Sequence, residues 1–324
     1  MHRRTLLTAT AALPFAGAAA QAQTDYPTRA VTMVVAFPPG GQADLAARPT
    51  AAALERILRQ PVVVQNRGGA AGAIGNTHVA RSAPDGYTLL MALSSLAVIP
   101  EAEKLFGRTP PYTVDQFAPI ALVNADPTML AVPASAPWRT LEEFIAAAKA
   151  DPGGIPYGSS GNYGTLHVAM EMFANAAGIR LLHVPFGGAG PAITALLSGQ
   201  TKAMASAPGT LTQHARDGRI RVLACWGKER VPAFPDVPTF MEKGFSNVEF
   251  YIWAGLFAPA ATPAPVIQTL RTAMGQAVRD PQLVQAFTAA GAPVAYLDAP
   301  EFQRFFEEDS ARLLRAVQRI GKVE

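Results

Sequence analysis

The run Phe37-Pro38-Pro39-Gly40-Gly41-Gln42-Ala43-Asp44 sets two prolines and two glycines between an apolar stretch, Val31–Ala36, and a stretch from about Leu45 with Leu54, Ile57 and Leu58 at helical spacing. Strand, glycine turn and helix in that order leave unpaired backbone N–H groups at the helix N-terminus. The helix dipole also favours negative charge there. The chemistry on offer is capture of an anion by main-chain donors, and a glycine without Cβ lets a ligand approach the backbone. A tight βα turn with no ligand is the other reading of the same residues. Two later stretches repeat the pattern: Ser159-Ser160-Gly161-Asn162-Tyr163-Gly164-Thr165 and Phe186-Gly187-Gly188-Ala189-Gly190-Pro191. None of the three contains Arg or Lys.

Other chemistries find little support. Gly158-Ser159-Ser160-Gly161 lacks the spacing of a nucleophile elbow. The five histidines form no metal-binding pair of the kind seen in H-E-x-x-H. His78, His167, His183 and His214 read as hydrogen-bonding residues on helices and strands. Cys225, the single cysteine, sits in the apolar run Val222–Trp226 and reads as a buried thiol. Glu142-Glu143 and Glu307-Glu308 are neighbours on helices, so they do not face one another as a catalytic acid pair must. The Gly69, Gly72, Gly75 spacing is not that of a dinucleotide loop and reads as close helix packing. A hydrolase is the weakest of the functional readings, and no metal or cofactor is expected.

The elements that must position these turns alternate along the chain. Strands are expected at Val31–Ala36, Pro61–Gln65, Tyr87–Leu93, Phe117–Val123 and Met129–Val132, then at Ile155–Gly158, Leu181–Pro185, Ala203–Ser206 and Ile220–Trp226. Helices lie between them, which predicts α/β lobes with parallel sheets. Thr140-Leu141-Glu142-Glu143 is a capping box. Asn247–Pro259 reads as a strand crossing back to the first lobe, and two helical stretches with Phe302, Phe305 and Phe306 on an inner face close the chain. Loops at the C-terminal ends of strands then face a shared cleft.

At the N-terminus, Arg3-Arg4, the apolar Leu6–Ala20 and Ala20-Gln21-Ala22 read as an export signal over residues 1–22. A Sec signal is favoured, with a twin-arginine signal as the alternative. Setting those arginines aside brings the formal net charge of +3 down to near +1. That argues against nucleic acid as a partner. An exported chain with one cysteine fits a bacterial periplasm.

The first glycine run resembles the first ligand loop of the Bug receptors, the tripartite tricarboxylate receptor family of periplasmic solute-binding proteins. Gln65–Gly75 with Ala83-Pro84-Asp85-Gly86-Tyr87-Thr88-Leu89, Tyr157–Asn162, His183-Val184-Pro185-Phe186 with Gly190-Pro191-Ala192, and Pro235-Asp236-Val237-Pro238-Thr239 are also similar, in order along the mature chain. The resemblance implies a two-lobed Venus-flytrap fold. Lobe 1 spans 23–124 and 252–324, lobe 2 spans 125–251, a two-strand hinge joins them, and the C-terminal helices sit on lobe 1. It implies ligand contacts at Phe37, Pro39, Gly40, Gly41, Gln42, Ala43 and Asp44; at Ser94 and Ser95; at Ser159, Gly161, Asn162, Tyr163, Gly164 and Thr165; and at Phe186, Gly187 and Gly188. Many members of the family carry Asp where this chain has Ser206, so an un-aminated mono- or dicarboxylate is the expected ligand. A monomer that hands this ligand to inner-membrane transporter subunits is the implied role. A sensor module docking on a receptor kinase or regulator is the alternative.

Overall fold

Apolar strands alternating with one-sided helices build two sheets. The computed structural model describes residues 25–322, so the signal read over residues 1–22 lies outside them. The first part comprises β1 (Val31–Val35), α1 (Gln42–Leu58), β2 (Val62–Asn66), α2 (Ala73–Ala80), β3 (Thr88–Leu93), α3 (Ser95–Leu105) and β4 (Phe117–Pro127). The second comprises β5 (Met129–Pro133), α4 (Leu141–Ala150), β6 (Pro156–Ser159), α5 (Thr165–Ala177), β7 (Leu182–Pro185), α6 (Ala189–Leu197), β8 (Ala203–Ser206), α7 (Pro208–Arg216) and β9 (Ile220–Cys225). The chain returns through β10 (Tyr251–Pro259) and ends with α8 (Ala264–Ala277), α9 (Pro281–Ala289), β11 (Leu297–Asp298) and α10 (Ala299–Ile320).

One sheet has the order β11-β4-β10-β3-β1-β2 and the other β7-β6-β8-β5-β9. β1, β2 and β3 are parallel, as expected, but both sheets are mixed. β10 runs antiparallel between β3 and β4, and β5 runs antiparallel between β8 and β9. The reason is topological. β4 carries the chain out of the first lobe and β10 carries it back, so two neighbours in one sheet must point opposite ways. At the junction the backbones of Thr128, Trp226 and Phe250 bond to one another: Trp226 N–H donates to Thr128 O, Phe250 N–H to Trp226 O, and Thr128 N–H to Phe250 O. Asn124–Pro127 is the end of β4 and pairs with β10.

Buried aromatic rings fill both lobes. Phe173, Trp226 and Phe240 pack at centroid distances of 4.4–6.2 Å in the second. In the first, Trp253 lies 5.8 Å from Phe302 and 5.7 Å from Phe306, and its Nε1 donates to Asp309 Oδ2 at 2.8 Å. The aromatic stripe of α10 is therefore packing, as its spacing predicted. This helix is not confined to lobe 1, however. It packs against α3 and β4 and also against α5. Just beyond its end, Tyr163 Oη donates to Gly321 O at 2.7 Å. Among the described residues no helix is long and apolar enough to cross a membrane.

Candidate functional site

Gly41 is extended at the cap of α1, so this helix starts at Gln42, three residues before the sequence estimate. Gln42, Ala43 and Asp44 are thus the first turn of the helix rather than part of the loop. Their N–H groups have no intrahelical acceptor. The same construction recurs at α3 after Ser94, α5 after Gly164, α6 after Gly188 and α7 after Ala207. None of these five N-termini carries a side-chain cap. Three of them put first-turn residues on one cavity between the lobes, Gln42 and Ala43 of α1, Thr165 and Leu166 of α5, and Ala189 of α6, while Leu93 and Ser206 of its wall end β3 and β8. Of the helices that contribute nothing to this cavity, α4, α9 and α10 are capped by Thr140, Asp280 and Asp298, and α2 and α8 have no side-chain cap. The lining contains no Lys, Arg, Asp or Glu.

The lobes meet tightly. A Cβ on Gly190 would run into the Pro39 carbonyl oxygen, and one on Gly188 would come within 2.8 Å of Pro38 Cδ. Glycine at both positions lets the first and third turns touch. Ser94 Oγ reaches Thr165 Oγ1 at 3.4 Å across the gap. The free volume between them is about 10 Å³, enough for roughly one water.

The structure distributes the expected ligand residues unevenly. Phe37, Gly41, Gln42, Ala43, Thr165 and Ser206 line the cavity. Ser94 and Ser95 are buried beside it, at the start of α3. Pro39 and Gly40 are exposed on the outer side of the turn, as are Asn162 and Gly187. Gly161 packs on Ala71, Gly188 on Pro38, and Gly164 on the Ser160 side chain. Phe186 is half-buried outside the lining. Tyr163 is buried with its hydroxyl on Gly321 and its ring 5.9 Å from Phe106. Asp44 turns away. It accepts from Arg48 at 2.8 Å, Asn66 Nδ2 at 3.0 Å and Gly40 N–H at 3.1 Å. Burial alone would raise its pKa, but those donors outweigh burial and hold the carboxyl below its usual range.

Ser159 is displaced by strand alternation. It ends β6 with its side chain on the far face, where Oγ meets His183 Nε2 at 2.6 Å and accepts from Gly161 N–H at 3.1 Å. The next residue, Ser160, faces the cavity instead. The Ser159–His183 contact is a buried structural bond. Ser159 is wholly inaccessible, and His183 stacks on His167 at 4.1 Å. Burial depresses both imidazoles, His183 to about 4 and His167, with the added charge of its neighbour, to about 3. Among the described residues no group of His, Cys, Asp and Glu is placed to hold a metal.

Several residues of the site had no sequence signal: Leu93, Leu166 and Ile252 are ordinary apolar residues until the fold aims them. Asn124 and Asp126 did have one. They are polar at i and i+2 in an apolar strand and so share a face. Asp126 accepts from Gln42 Nε2 at 2.8 Å and Asn124 Nδ2 at 2.6 Å. Burial pushes its carboxyl up to about 7, against the pull of the two amides. The Ser160 and Ser206 hydroxyls are buried without a protein partner and line the cavity.

Comparison with known proteins places this arrangement. The family model described as tripartite tricarboxylate transporter family receptor matches residues 46–322. BugT of Bordetella pertussis is 34% identical over 307 residues, covering 94% of each chain. The solved periplasmic binding protein BugD is 31% identical with a TM-score of 0.86, covering 91% of this chain and 99% of its own. MatC of Rhodopseudomonas palustris, solved with bound malate, is 30% identical with a TM-score of 0.83, covering 90% and 99%.

Proposed function

The chain belongs to the tripartite tricarboxylate transporter receptor family, and from that premise we propose that it is an exported receptor for a small un-aminated carboxylate, held by main-chain donors between two closing lobes. One observation carries the reading. Three helices, α1, α5 and α6, bring first turns without a side-chain cap to the cavity between the lobes. Uncapped N-termini offer N–H donors and the positive ends of dipoles, which together hold a carboxylate without a cationic side chain. The Ser160 and Ser206 hydroxyls supply two further hydrogen bonds, directly or through water.

Gln42, Ala43 and Thr165 are the binding residues proposed here, with Phe37, Gly41, Ser160 and Ser206 shaping the space. Malate in MatC is a hydroxy-dicarboxylate of the proposed class. Ser206 gives a ligand ammonium nothing to pair with, so amino acids are disfavoured. A free volume of about 10 Å³ does not admit such a ligand, so the lobes part to receive it and close around it. The strand pair β4–β10 absorbs that rotation near Thr128 and Phe250. The closed surface is then read by transporter subunits in the inner membrane, with the receptor working from the periplasm.

Calorimetric titration with malate, succinate, adipate, benzoate, aspartate and glutamate tests the ligand class. Saturable binding of un-aminated acids, with aspartate and glutamate at least tenfold weaker, is expected. Tight binding of the amino acids alone overturns the reading. A ligand at a hundred times its Kd adds about 2.7 kcal/mol of stability, a rise of several degrees in Tm. Deletion of the gene should abolish uptake of the labelled acid.

A further inference from the structure

We infer that a groove between α5 and α10 docks an acidic segment of a partner protein. The groove has a volume of about 510 Å³ and shares no residue with the cavity between the lobes. On α10 it takes Arg312, Arg315, Ala316, Arg319 and Ile320, which lie three and four apart and so share one face. On α5 it takes Met172, Asn175 and Ala176, one face by the same spacing. Ser246, Asn247 and Glu249, on the way into β10, form the third side.

The charges in the groove do not balance. Arg312 is engaged within the protein: it pairs with the Asp309 carboxylate and donates to Glu249 O at 2.7 Å. The Glu249 carboxylate has Lys228 Nζ at 3.7 Å. Arg315 and Arg319 have no such partners. Both are exposed, and among the described residues neither guanidinium makes an ion pair or a hydrogen bond. They stand one turn apart, where like charges weaken a helix. The α10 dipole favours a cation in the last turn, which accounts for Arg319. The effect falls off within that turn and does not account for Arg315.

The occupant follows from the lining. Two guanidinium forks call for carboxylates, each held by parallel hydrogen bonds. Asn175, Ser246 and Asn247 are exposed, and among the described residues their side chains make no hydrogen bond. They offer the donors and acceptors that a peptide backbone needs. Met172, Ala316 and Ile320, buried or half-buried, give an apolar floor. Acidic side chains flanking an apolar one on a peptide match all three features. A flat lipid surface would meet the arginines and not the recessed floor. The place also suits a partner that senses the lobes. α5 carries Thr165 at the cleft and Ala176 in this groove, roughly 17 Å apart along one rigid helix. That the segment belongs to a membrane subunit rests on the receptor reading; the groove's preference for acidic peptide does not.

The probe is a dye-labelled Glu-Glu-Leu-Glu-Glu peptide, titrated into the full mature chain and followed by fluorescence anisotropy. Saturable binding that weakens with added salt is expected, with Lys-Lys-Leu-Lys-Lys not binding. Arg315→Glu should weaken the acidic peptide on the order of tenfold. Arg304→Glu makes the same change of charge on α10 outside the groove and should leave binding unchanged. Ala176→Trp, at an exposed helix position, fills the groove without altering charge and should also weaken the peptide. No saturable binding, equal losses from Arg315→Glu and Arg304→Glu, or full binding in Ala176→Trp would each overturn the proposal. So would phosphatidylglycerol vesicles that hold the chain through Arg315 while the peptide does not bind. The readout uses no carboxylate ligand. Peptide failure with carboxylate binding intact sinks the docking site alone, and the converse result sinks the receptor reading alone.

Discussion

Replacing Asp126 with asparagine keeps the side-chain shape and an acceptor for Gln42 and Asn124 while removing the titrating group. Burial lifts this carboxyl from 3.8 to about 7 in the folded protein. In the unfolded chain it ionises near its ordinary value. Between those two values the native state holds a proton that the unfolded chain has released. Stability from this group is therefore complete below the unfolded pKa and is lost as pH rises through the folded one. The loss runs at about 1.4 kcal/mol per pH unit and totals roughly 4 kcal/mol. His167 and His183, depressed to about 3 and about 4, act in the opposite sense. Their contribution is present above the ordinary histidine pKa and fades as pH falls below it. The wild-type profile sums both effects, and the difference between wild type and Asp126→Asn isolates the carboxylate. Urea unfolding followed by the fluorescence of buried Trp226 and Trp253, from about pH 5 to pH 8, measures that difference. The variant should gain on the wild type by roughly 2–3 kcal/mol between about pH 5 and pH 7 and level off above. Two parallel profiles would refute the account of Asp126 as a buried carboxyl that holds its proton.

Gly190→Val should wedge the turn of α6 against the Pro39 carbonyl and hold the lobes apart. Carboxylate affinity by calorimetry should fall at least tenfold, a cost of about 1.4 kcal/mol on closure, with Tm little changed. Ser206→Asp places an uncompensated anion in the cavity. Titration should show carboxylate binding weakened on the order of tenfold or more, with aspartate gaining relative to succinate. Phe302→Ala removes a ring packed 5.0 Å from Phe257 and 5.8 Å from Trp253. The urea midpoint should report a loss of about 3–5 kcal/mol. Thr140→Ala removes the cap bond to Glu143 N–H and should cost about 1 kcal/mol by the same assay.

The fold was legible because its signals are local. Apolar runs marked β1, β2, β3 and β8 to within a residue, and the capping box at Thr140 marked α4. The glycine turns were legible as a set for the same reason: only glycine supports such close approach, and Gly188 and Gly190 do meet Pro38 and Pro39. The shift of helix starts from about Leu45 to Gln42 is small in sequence but large in chemistry. It changes Gln42 and Ala43 from loop residues into open donors of a helix.

What the sequence determined by itself is the set of turns: strand ends, glycines and helix starts without cationic residues, a pattern that leaves main-chain N–H groups open. What only the tertiary structure decided is which residues meet at the cavity. Side chains alternate across a strand, so a one-residue difference in where β6 ends sends Ser159 to His183 and Ser160 to the cavity. Leu93, Ala189 and Ile252 become wall residues because three distant segments converge there. Asp126 has its pKa raised because the packed chain buries it, against the pull of the amides of Asn124 and of Gln42, 84 residues away. Burial and convergence are properties of the packed chain, and no local pattern contains them.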